Sequence, residues 1–295
     1  DRRRHHRLQL PRGRAGHEHG TRRDGAGRPA ALGGRRHRQP FLQKMHVCLL
    51  RERSKRIRPQ TDDKVLVAWN AMALMAFSDA ARYLKRTDYL EVARENADFL
   101  LTHLYSSGRL MRSWRNGKAQ HDAYLEDHAA LILGLLSHYQ SDPDLRWYSS
   151  AIQLAQDILA HFRDPNGGFF DTRDDQEQLL LRPKDLQDNA TPSGNALAAT
   201  AFLQLAIYEG ANDWRDLAEQ MLQTIQVLAA RHPTAFARWL CAIDYALMPI
   251  QEIVLLGELS HPAVQDFRDM LWSKFRPGTL VAQSSFPPEP WLHQL

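Results

Sequence analysis

The chain has 295 residues, of which 43% are hydrophobic, and a formal net charge of +4. This length and composition suit one large globular domain or two small ones. No run of about 20 uncharged apolar residues occurs, so we predict no membrane-spanning helix, and the arginine-rich start is not a secretory signal. The two cysteines, Cys48 and Cys241, form no CxxC or zinc-binding pattern. We therefore predict no metal site and a reducing compartment such as the cytoplasm.

The first 40 residues differ in composition from the rest of the chain. They hold 12 arginines against three acidic residues, a net charge of +9 that leaves −5 for the other 255 residues. With few large apolar side chains, this tail cannot offset the entropy of ordering, and we expect disorder. A nucleic-acid-binding arm is a less favoured interpretation than a disordered tail, because no aromatic side chains lie among the arginines. A third reading is sequence translated out of frame from a GC-rich gene.

Residues 41–61 predict a basic helix and then a linker, with Pro59 ending the helix. Seven helical segments follow. Four are apolar nearly all round (64–84, 123–139, 191–208 and 234–248), and the three between them are amphipathic (89–104, 145–162 and 214–231). Because a helix that is apolar all round is surrounded by protein, this alternation predicts parallel inner helices covered by outer ones. We predict an all-α, (α/α)6-toroid-like arc of helical hairpins over 62–250, incomplete because six closed hairpins need twelve helices.

The remaining segments complete the predicted organisation. Two stretches rich in glycine and aromatic residues, 108–114 and 167–171, predict hairpins or extended loops over the rim where the inner helices begin. After Pro249, two apparent strands (252–257 and 279–282) flank a helix (261–275), which predicts a small α/β insertion over 251–285. Residues 286–295 form a Pro-rich end.

Acidic residues precede or begin three of the inner helices, so parallel helices would bring them to one rim. Paired carboxylates there would serve as general acid and base in glycosyl chemistry. The alternative is helix capping, which favours the same residue types at the same places. The catalytic candidates are Asp62, Asp63, Glu126, Asp127 and Asp188.

Capping is favoured most clearly before the third inner helix, where Thr191 would be the N-cap and Pro192 the first helical residue. It is less favoured for Glu126 and Asp127, which would lie one turn inside a helix that begins at Ala123.

Aromatic, amide and basic residues around the same rim are the candidates for ligand binding. Aromatic rings would stack on sugar faces, amides would orient sugar hydroxyls, and a histidine would carry protons or sit in the core. Arg182 would bind an anionic group, or belong to an exposed charged loop. The binding candidates are Trp69, Asn70, Trp114, Tyr124, His128, Arg182, Asn189, Ser193 and Asn195. No P-loop, GxGxxG turn, GxSxG elbow or HExxH motif occurs, so we predict no cofactor.

Four strings in order carry a resemblance to one known family: DDKVLVAWNAMALMAFSDAAR, YLEDHAALILGLL, GGFFDT and LLLRPKDLQDNATPSGNALAA. The chain resembles thioredoxin-domain-containing proteins of the spermatogenesis-associated type, whose large C-terminal part is a six-hairpin toroid similar to N-acylglucosamine 2-epimerases and six-hairpin glycosidases. The resemblance implies that this chain is a fragment, with a thioredoxin-like domain elsewhere in the full-length protein. One departure is His128, where the family commonly has tyrosine.

Two functions follow from this reading. The first is a fragment of a carbohydrate-active toroid whose reaction is undefined. The second is a non-catalytic module that binds a small ligand or a peptide. We expect a sugar or other small molecule as partner, no membrane, and no nucleic acid. We also expect Asp127→Ala and Asp188→Ala to abolish ligand binding while leaving the fold intact.

Overall fold

The computed structural model describes residues 33–176 and 180–285, and the chain divides into two units, 1–61 and 62–295. In the first unit, helix α1 (Gly33–Ser54) ends before Pro59, as predicted. Its described part already starts at Gly33, before Phe41, so the predicted boundary of the tail at residue 40 is wrong. The arginines and the glutamine of 33–39 are good helix formers, and they extend the helix on the N-terminal side of Pro40. The expectations for 1–32 and 286–295 lie outside the described residues.

The second unit contains the seven predicted helices among its described residues. In chain order its elements are β1 (Val65–Leu66), α2 (Val67–Leu84), α3 (Thr87–His103), β2 (Tyr105–Ser106), β3 (Arg109–Arg115), β4 (Lys118–Asp122), α4 (Leu125–Ser141), α5 (Leu145–His161), α6 (Gly194–Glu209), α7 (Asn212–Arg231), a 3-10 turn (Pro233–Ala235), α8 (Ala237–Leu247), β5 (Gln251–Leu256), α9 (Pro262–Leu271) and β6 (Thr279–Ser284).

Burial confirms the prediction for the three outer helices and for two of the four inner ones. Helices α2 and α8, which were also predicted to be surrounded by protein, bury only part of their surface. Nearly every residue of α4 and α6 is buried, whereas α3, α5 and α7 each bury one face. The inner helices pack in succession, α2 on α4, α4 on α6 and α6 on α8, and α3, α5 and α7 each pack on the inner helix that precedes them. The all-α, toroid-like arc of helical hairpins is thus confirmed.

Two glycines allow the inner helices to approach closely. A Cβ atom at Gly134, in the middle of α4, would lie 2.7 Å from the carbonyl oxygen of Ala71 on α2. A Cβ atom at Gly194, the first residue of α6, would lie 3.0 Å from the amide nitrogen of Glu126 on α4. Both distances are shorter than an ordinary carbon contact, so a larger residue at either position would push the helices apart.

The strands lie in the connections and in the insertion. Strand β3 pairs antiparallel with β1, β2 and β4, which confirms the predicted hairpin near 108–114. The stretch 167–171 is a loop with one isolated bridge, Arg163 to Phe169. In the insertion, β5 and β6 pair in parallel with α9 between them, as predicted, although α9 ends at Leu271 rather than 275. Within the described residues, none of the helices combines the length and apolarity needed to cross a bilayer.

Candidate functional site

The N-terminal ends of the inner helices lie next to one another. Asp127 at the start of α4 bonds to the amide of Ala68 at the start of α2. A Cβ atom at Gly194, at the start of α6, would lie 3.0 Å from the amide nitrogen of Glu126, so the two backbones are close. Asp188, just before α6, accepts from the amide of Arg238 at the start of α8. These contacts place the four helix starts on one rim, as the parallel arrangement predicts.

Asp127 is fully buried and ties three segments together. Its Oδ1 accepts from the amide of Ala68 at 3.0 Å, and its Oδ2 accepts from the amide of Tyr124 at 2.9 Å and from Arg112 at 2.7 Å. Helix α4 begins at Leu125 rather than Ala123, so Asp127 is the third helical residue and forms a capping box with Tyr124. The expectation that capping is disfavoured for Asp127 is therefore wrong.

The ionisation of Asp127 reflects opposing effects. Burial raises the pKa of Asp127, while the Arg112 guanidinium and the amides of Tyr124 and Ala68 oppose that rise. Because its two oxygens bond the amide of Ala68 on α2, the amide of Tyr124 at the start of α4 and the guanidinium of Arg112, its role is to hold α2 and α4 together.

Asp188 has a similar structural role between α6 and α8. Its two oxygens accept from the amide of Ser193 at 2.9 Å and from the amide of Arg238 at 2.7 Å. Helix α6 begins at Gly194 with Ser193 as its N-cap residue, so the predicted cap at Thr191 and Pro192 is wrong. The chain forms a bent loop through those residues, closed by the bond from the Ser193 amide to Asp188 and by the bond from the Asn189 amide to the Thr191 carbonyl, so the helix begins only after it. Substitutions at Asp127 and Asp188 are thus expected to disturb the fold, which corrects our expectation of an intact fold.

Asp62 and Asp63 lie apart from the other rim acids. Asp62 pairs with Lys64 at 3.2 Å, and Asp63 pairs with Arg115 of β3 at 2.6 Å. Both side chains are largely exposed, and the hydrogen bond from Lys64 lowers the pKa of Asp62. Neither lines the cavity described next.

A cavity of about 370 Å³ opens at the rim between the starts of α4 and α6. Four of its lining residues were predicted, namely Tyr124, Glu126, Asn189 and Ser193. Eight further residues were not: Asp171, Thr172, Pro183, Asp185, Gln187, Thr191, Pro192 and Gly194. The lining combines three carboxyl groups with amides, hydroxyls and one aromatic ring. This cavity is the candidate functional site.

Glu126 is held in this cavity by Arg112. The guanidinium of Arg112 pairs with Glu126 Oε1 at 2.8 Å and with Asp127 at 2.7 Å, and it lies 4.4 Å from the centre of the Tyr124 ring. One arginine on β3 therefore positions the first residues of α4. Unlike Asp127, Glu126 accepts no hydrogen bond from a backbone amide among its described contacts. Glu126 also lines the cavity.

Asp171 is one of two lining acids, with Asp185, that the sequence analysis did not select. Its backbone anchors the loop, since its carbonyl accepts from the amide of Leu125 at 2.9 Å and its amide donates to Pro183 at 2.8 Å. One carboxylate oxygen accepts from the amide of Asp185 at 2.8 Å. Burial raises the pKa of Asp171, the charges of Asp185 and Glu126 raise it further, and the amide of Asp185 opposes them. Its position at the end of the Gly-Gly-Phe-Phe-Asp loop was the available sequence signal.

Three predicted binding residues have structural partners outside the cavity. His128 is buried, with Nε2 2.8 Å from Asp157 and Nδ1 3.0 Å from the Tyr124 carbonyl, so it is a core histidine. Asn195 is buried and bonds both the amide and the carbonyl of Phe169 at 2.9 Å. Arg182 donates to the carbonyls of His161 and Thr172 and does not line the cavity.

The remaining predicted residues lie on α2 and β3, also away from the cavity. Trp69 is 60% exposed, and the side chain of Asn70 donates at 2.8 Å to the carbonyl of Leu66, the N-cap residue of its helix. Trp114 packs against the rings of Phe99 and His103.

A group of possible metal ligands lies elsewhere, at His161, Asp174 and Asp175, whose ligand atoms fall within 4.8 Å of one another. The carboxylate of Asp175 accepts from Arg173 at 2.8 Å and from Arg109 at 3.2 Å, and Arg173 holds its pKa well below the ordinary range. Asp174 is bonded to the histidine ring. Because two arginines already pair with Asp175 and the histidine ring pairs with Asp174, we interpret the group as an ion-pair cluster rather than an open cation site.

Comparison with known proteins gives relatives over most of the chain. No protein-family model matches. The chain is 27% identical over 256 residues to spermatogenesis-associated protein 20 of Homo sapiens and 31% identical over 236 residues to that of Rattus norvegicus. The matches cover 83% and 76% of this chain but 33% and 29% of the relatives. Among solved structures, cellobiose 2-epimerase from Spirochaeta thermophila aligns over 57% of this chain and 44% of that one, with 18% identity and a TM-score of 0.48.

The relatives extend the resemblance well beyond the four motifs that first indicated it. The chain spans about a third of the length of the curated relatives that it matches. It is therefore homologous, over most of its length, to a part of the spermatogenesis-associated protein 20 proteins.

Proposed function

We propose that the rim cavity between α4 and α6 binds a carbohydrate, and that the chain contributes this wall of a carbohydrate-active site. The observation that carries the proposal is the lining itself, which places Glu126, Asp171 and Asp185 around one cavity of about 370 Å³ together with amide and hydroxyl groups. That volume lies within the range of about 300–1,000 Å³ usual for small-molecule sites.

The donors and acceptors of the lining match the chemistry of sugar hydroxyls. A sugar hydroxyl both donates and accepts hydrogen bonds. It can therefore donate to a carboxylate, and it can either donate to or accept from a side-chain amide. Asn189 and Gln187 supply amides, and Thr191 supplies a hydroxyl. The ring of Tyr124 is 40% exposed and offers an apolar face for the C–H face of a sugar.

Two of the carboxyl groups that line the cavity, those of Glu126 and Asp171, suggest a division of roles. Burial raises the pKa of Asp171, and a raised pKa is the usual property of a carboxyl group that serves as a general acid. Glu126 is paired with Arg112 and fits the role of a carboxylate that accepts a hydrogen bond or a proton from a sugar hydroxyl. We assign proton transfer on the bound sugar to Asp171 and leave the bond that reacts open.

The competing proposal is a non-catalytic binding module. It is favoured by Asp127 and Asp188, two of the five predicted catalytic acids, because their carboxylates are bonded to backbone amides. Under this proposal the same cavity holds a ligand without turnover, so the two proposals differ only in catalysis.

The test is calorimetric titration of the chain with a panel of neutral mono- and disaccharides, followed by a turnover assay on each sugar that binds. We expect Asp171→Asn to abolish turnover with a smaller effect on affinity, and Glu126→Gln to weaken affinity about tenfold, because a hydrogen bond to a charged group is lost. Asp213→Asn, at an exposed acid in the first turn of α7, is the matched control. Binding without turnover would favour the module, and binding unchanged in both cavity variants would exclude the cavity.

Two further expectations concern the longer protein and the compartment in which it works. The family resemblance supports a thioredoxin-like domain in the longer protein, which we propose acts separately from this cavity. The described cysteines, Cys48 and Cys241, are free and exposed, which supports a reducing compartment such as the cytoplasm.

A further inference from the structure

A second cavity of about 370 Å³ lies at the opposite end of the inner helices, between the turn that joins α2 to α3 and helix α9 of the insertion. Its lining includes four cations and one acid: Arg82, Lys85, Arg86, Arg268 and Asp269. Helix α4 has 17 residues, so its two ends are about 25 Å apart and this cavity is separate from the rim cavity.

The buried half of this cavity is organised around Ser141 at the end of α4. Arg82 donates to Ser141 Oγ at 2.9 Å, and Arg268 donates to the Ser141 carbonyl at 2.9 Å. The side chain of Arg82 is only 6% exposed and also pairs with Asp79 at 2.6 Å. Two guanidinium groups are therefore held side by side by one residue, although their charges repel each other.

Arg268 is the cation of this group that lacks an acidic partner. Among the described residues, no carboxylate lies within ion-pair distance of it, and the hydrogen bond that it makes is to a neutral carbonyl. Burial lowers the pKa of Arg268, with Asp142 opposing that effect and Arg82 adding to it. A partly buried guanidinium without a carboxylate is costly, and an anion in the cavity would relieve that cost.

The outer half of the cavity supplies cations that can turn toward a ligand. Lys85 pairs with Asp269 at 2.6 Å and Arg86 pairs with Asp88 at 2.5 Å, but all four side chains are about half exposed or more. Exposed ion pairs contribute little stability, so a bound anion can compete with Asp269 and Asp88. Thr87 and Gln265 also line the cavity and offer neutral donors.

We propose that this second cavity binds the phosphate group of a small phosphorylated molecule, with Arg268 of the insertion as its central ligand. A guanidinium presents paired donors that match phosphate oxygens, and lysine adds a point charge. The proposal gives the insertion a function, since α9 brings Arg268 against the hairpin that supplies the other cations. It concerns a different site from the rim cavity, so neither proposal depends on the other.

The test is calorimetric titration of the full chain with inorganic phosphate and, separately, with acetate, at constant ionic strength. We expect one saturable phosphate site that Arg268→Gln weakens about tenfold or more, through loss of a charge-assisted pair. Arg86→Gln, at an exposed side chain that does not threaten folding, is expected to weaken the site about threefold. The matched control Arg215→Gln removes an arginine of α7 that is also about half exposed, and this variant should bind phosphate as the unmodified chain does.

Circular dichroism and urea unfolding show whether each variant is folded, and if Arg268→Gln is not, Arg86→Gln decides. If the chain shows no saturable phosphate binding, the proposal is overturned. It is also overturned if Arg86→Gln and a folded Arg268→Gln both bind phosphate with unchanged affinity. Acetate binding as tight as phosphate would overturn the assignment to phosphate. Asp171→Asn should leave phosphate affinity unchanged, which separates this result from the test of the rim cavity.

Discussion

Replacing Asp127 with alanine should destabilise the whole helical arc rather than only its ligand site. The substitution removes three interactions, at 3.0 Å to the Ala68 amide, 2.9 Å to the Tyr124 amide and 2.7 Å to Arg112. Two amide donors and a guanidinium at a fully buried position then lose their acceptor, and removing one partner of a buried pair usually costs about 3–5 kcal/mol. Arg112 keeps its contact with Glu126, so we expect a value near the lower end, about 3 kcal/mol.

The measurement is urea unfolding followed by far-UV circular dichroism, with the free energy of unfolding extrapolated to water. About 3 kcal/mol would be a large part of the stability of an ordinary domain, which is about 5–15 kcal/mol. Asp127→Asn keeps one acceptor oxygen and should lose less, about 1–3 kcal/mol. The control Asp213→Ala, at an exposed acid, should lose less than about 1 kcal/mol. A midpoint for Asp127→Ala equal to that of the control would refute the structural role.

Two other predictions concern residues of α4, one through helix packing and one through pH. Gly134→Ala places a Cβ atom 2.7 Å from the Ala71 carbonyl, so it should lower the free energy of unfolding by about 1–3 kcal/mol, and an unchanged urea midpoint would contradict the close approach of α2 and α4. His138 is buried and its pKa is lowered to about 4 by that burial, below the value of 6.5 in the unfolded chain. Because the unfolded chain then binds more protons, stability is full above pH 6.5 and falls as the pH drops toward 4, by about 3 kcal/mol. Urea unfolding across this pH range measures the slope, and His138→Gln should flatten it; an equal slope in that variant would exclude His138 as its source.

Much of the architecture could be read from the local pattern of the sequence. The alternation of apolar and amphipathic segments predicts which helices are buried, and α4 and α6 are indeed buried almost throughout. The turn to a strand–helix–strand pattern after Pro249 predicts the insertion. These features are predictable because a helix that is surrounded by protein must be apolar all round, whatever it packs against.

The start of each inner helix was less predictable. The sequence allowed α4 to begin at Ala123 and α6 at Pro192, whereas they begin at Leu125 and Gly194. In each case an acid decides the start by bonding to a distant segment, Asp127 to Ala68 and Asp188 to Arg238. Such bonds join residues 50 or 59 positions apart, and no local pattern reports them.

The sequence alone determined that acidic residues would gather where the inner helices begin, since parallel inner helices place their first turns on one rim. The tertiary structure decided what each acid does there. Asp127 and Asp188 meet backbone amides and become structural, whereas Glu126 and Asp171 line a cavity together with Asp185. The physical reason is that a carboxylate's role depends on the donors around it. Those donors come from neighbouring hairpins, and only the packing of the hairpins brings them together.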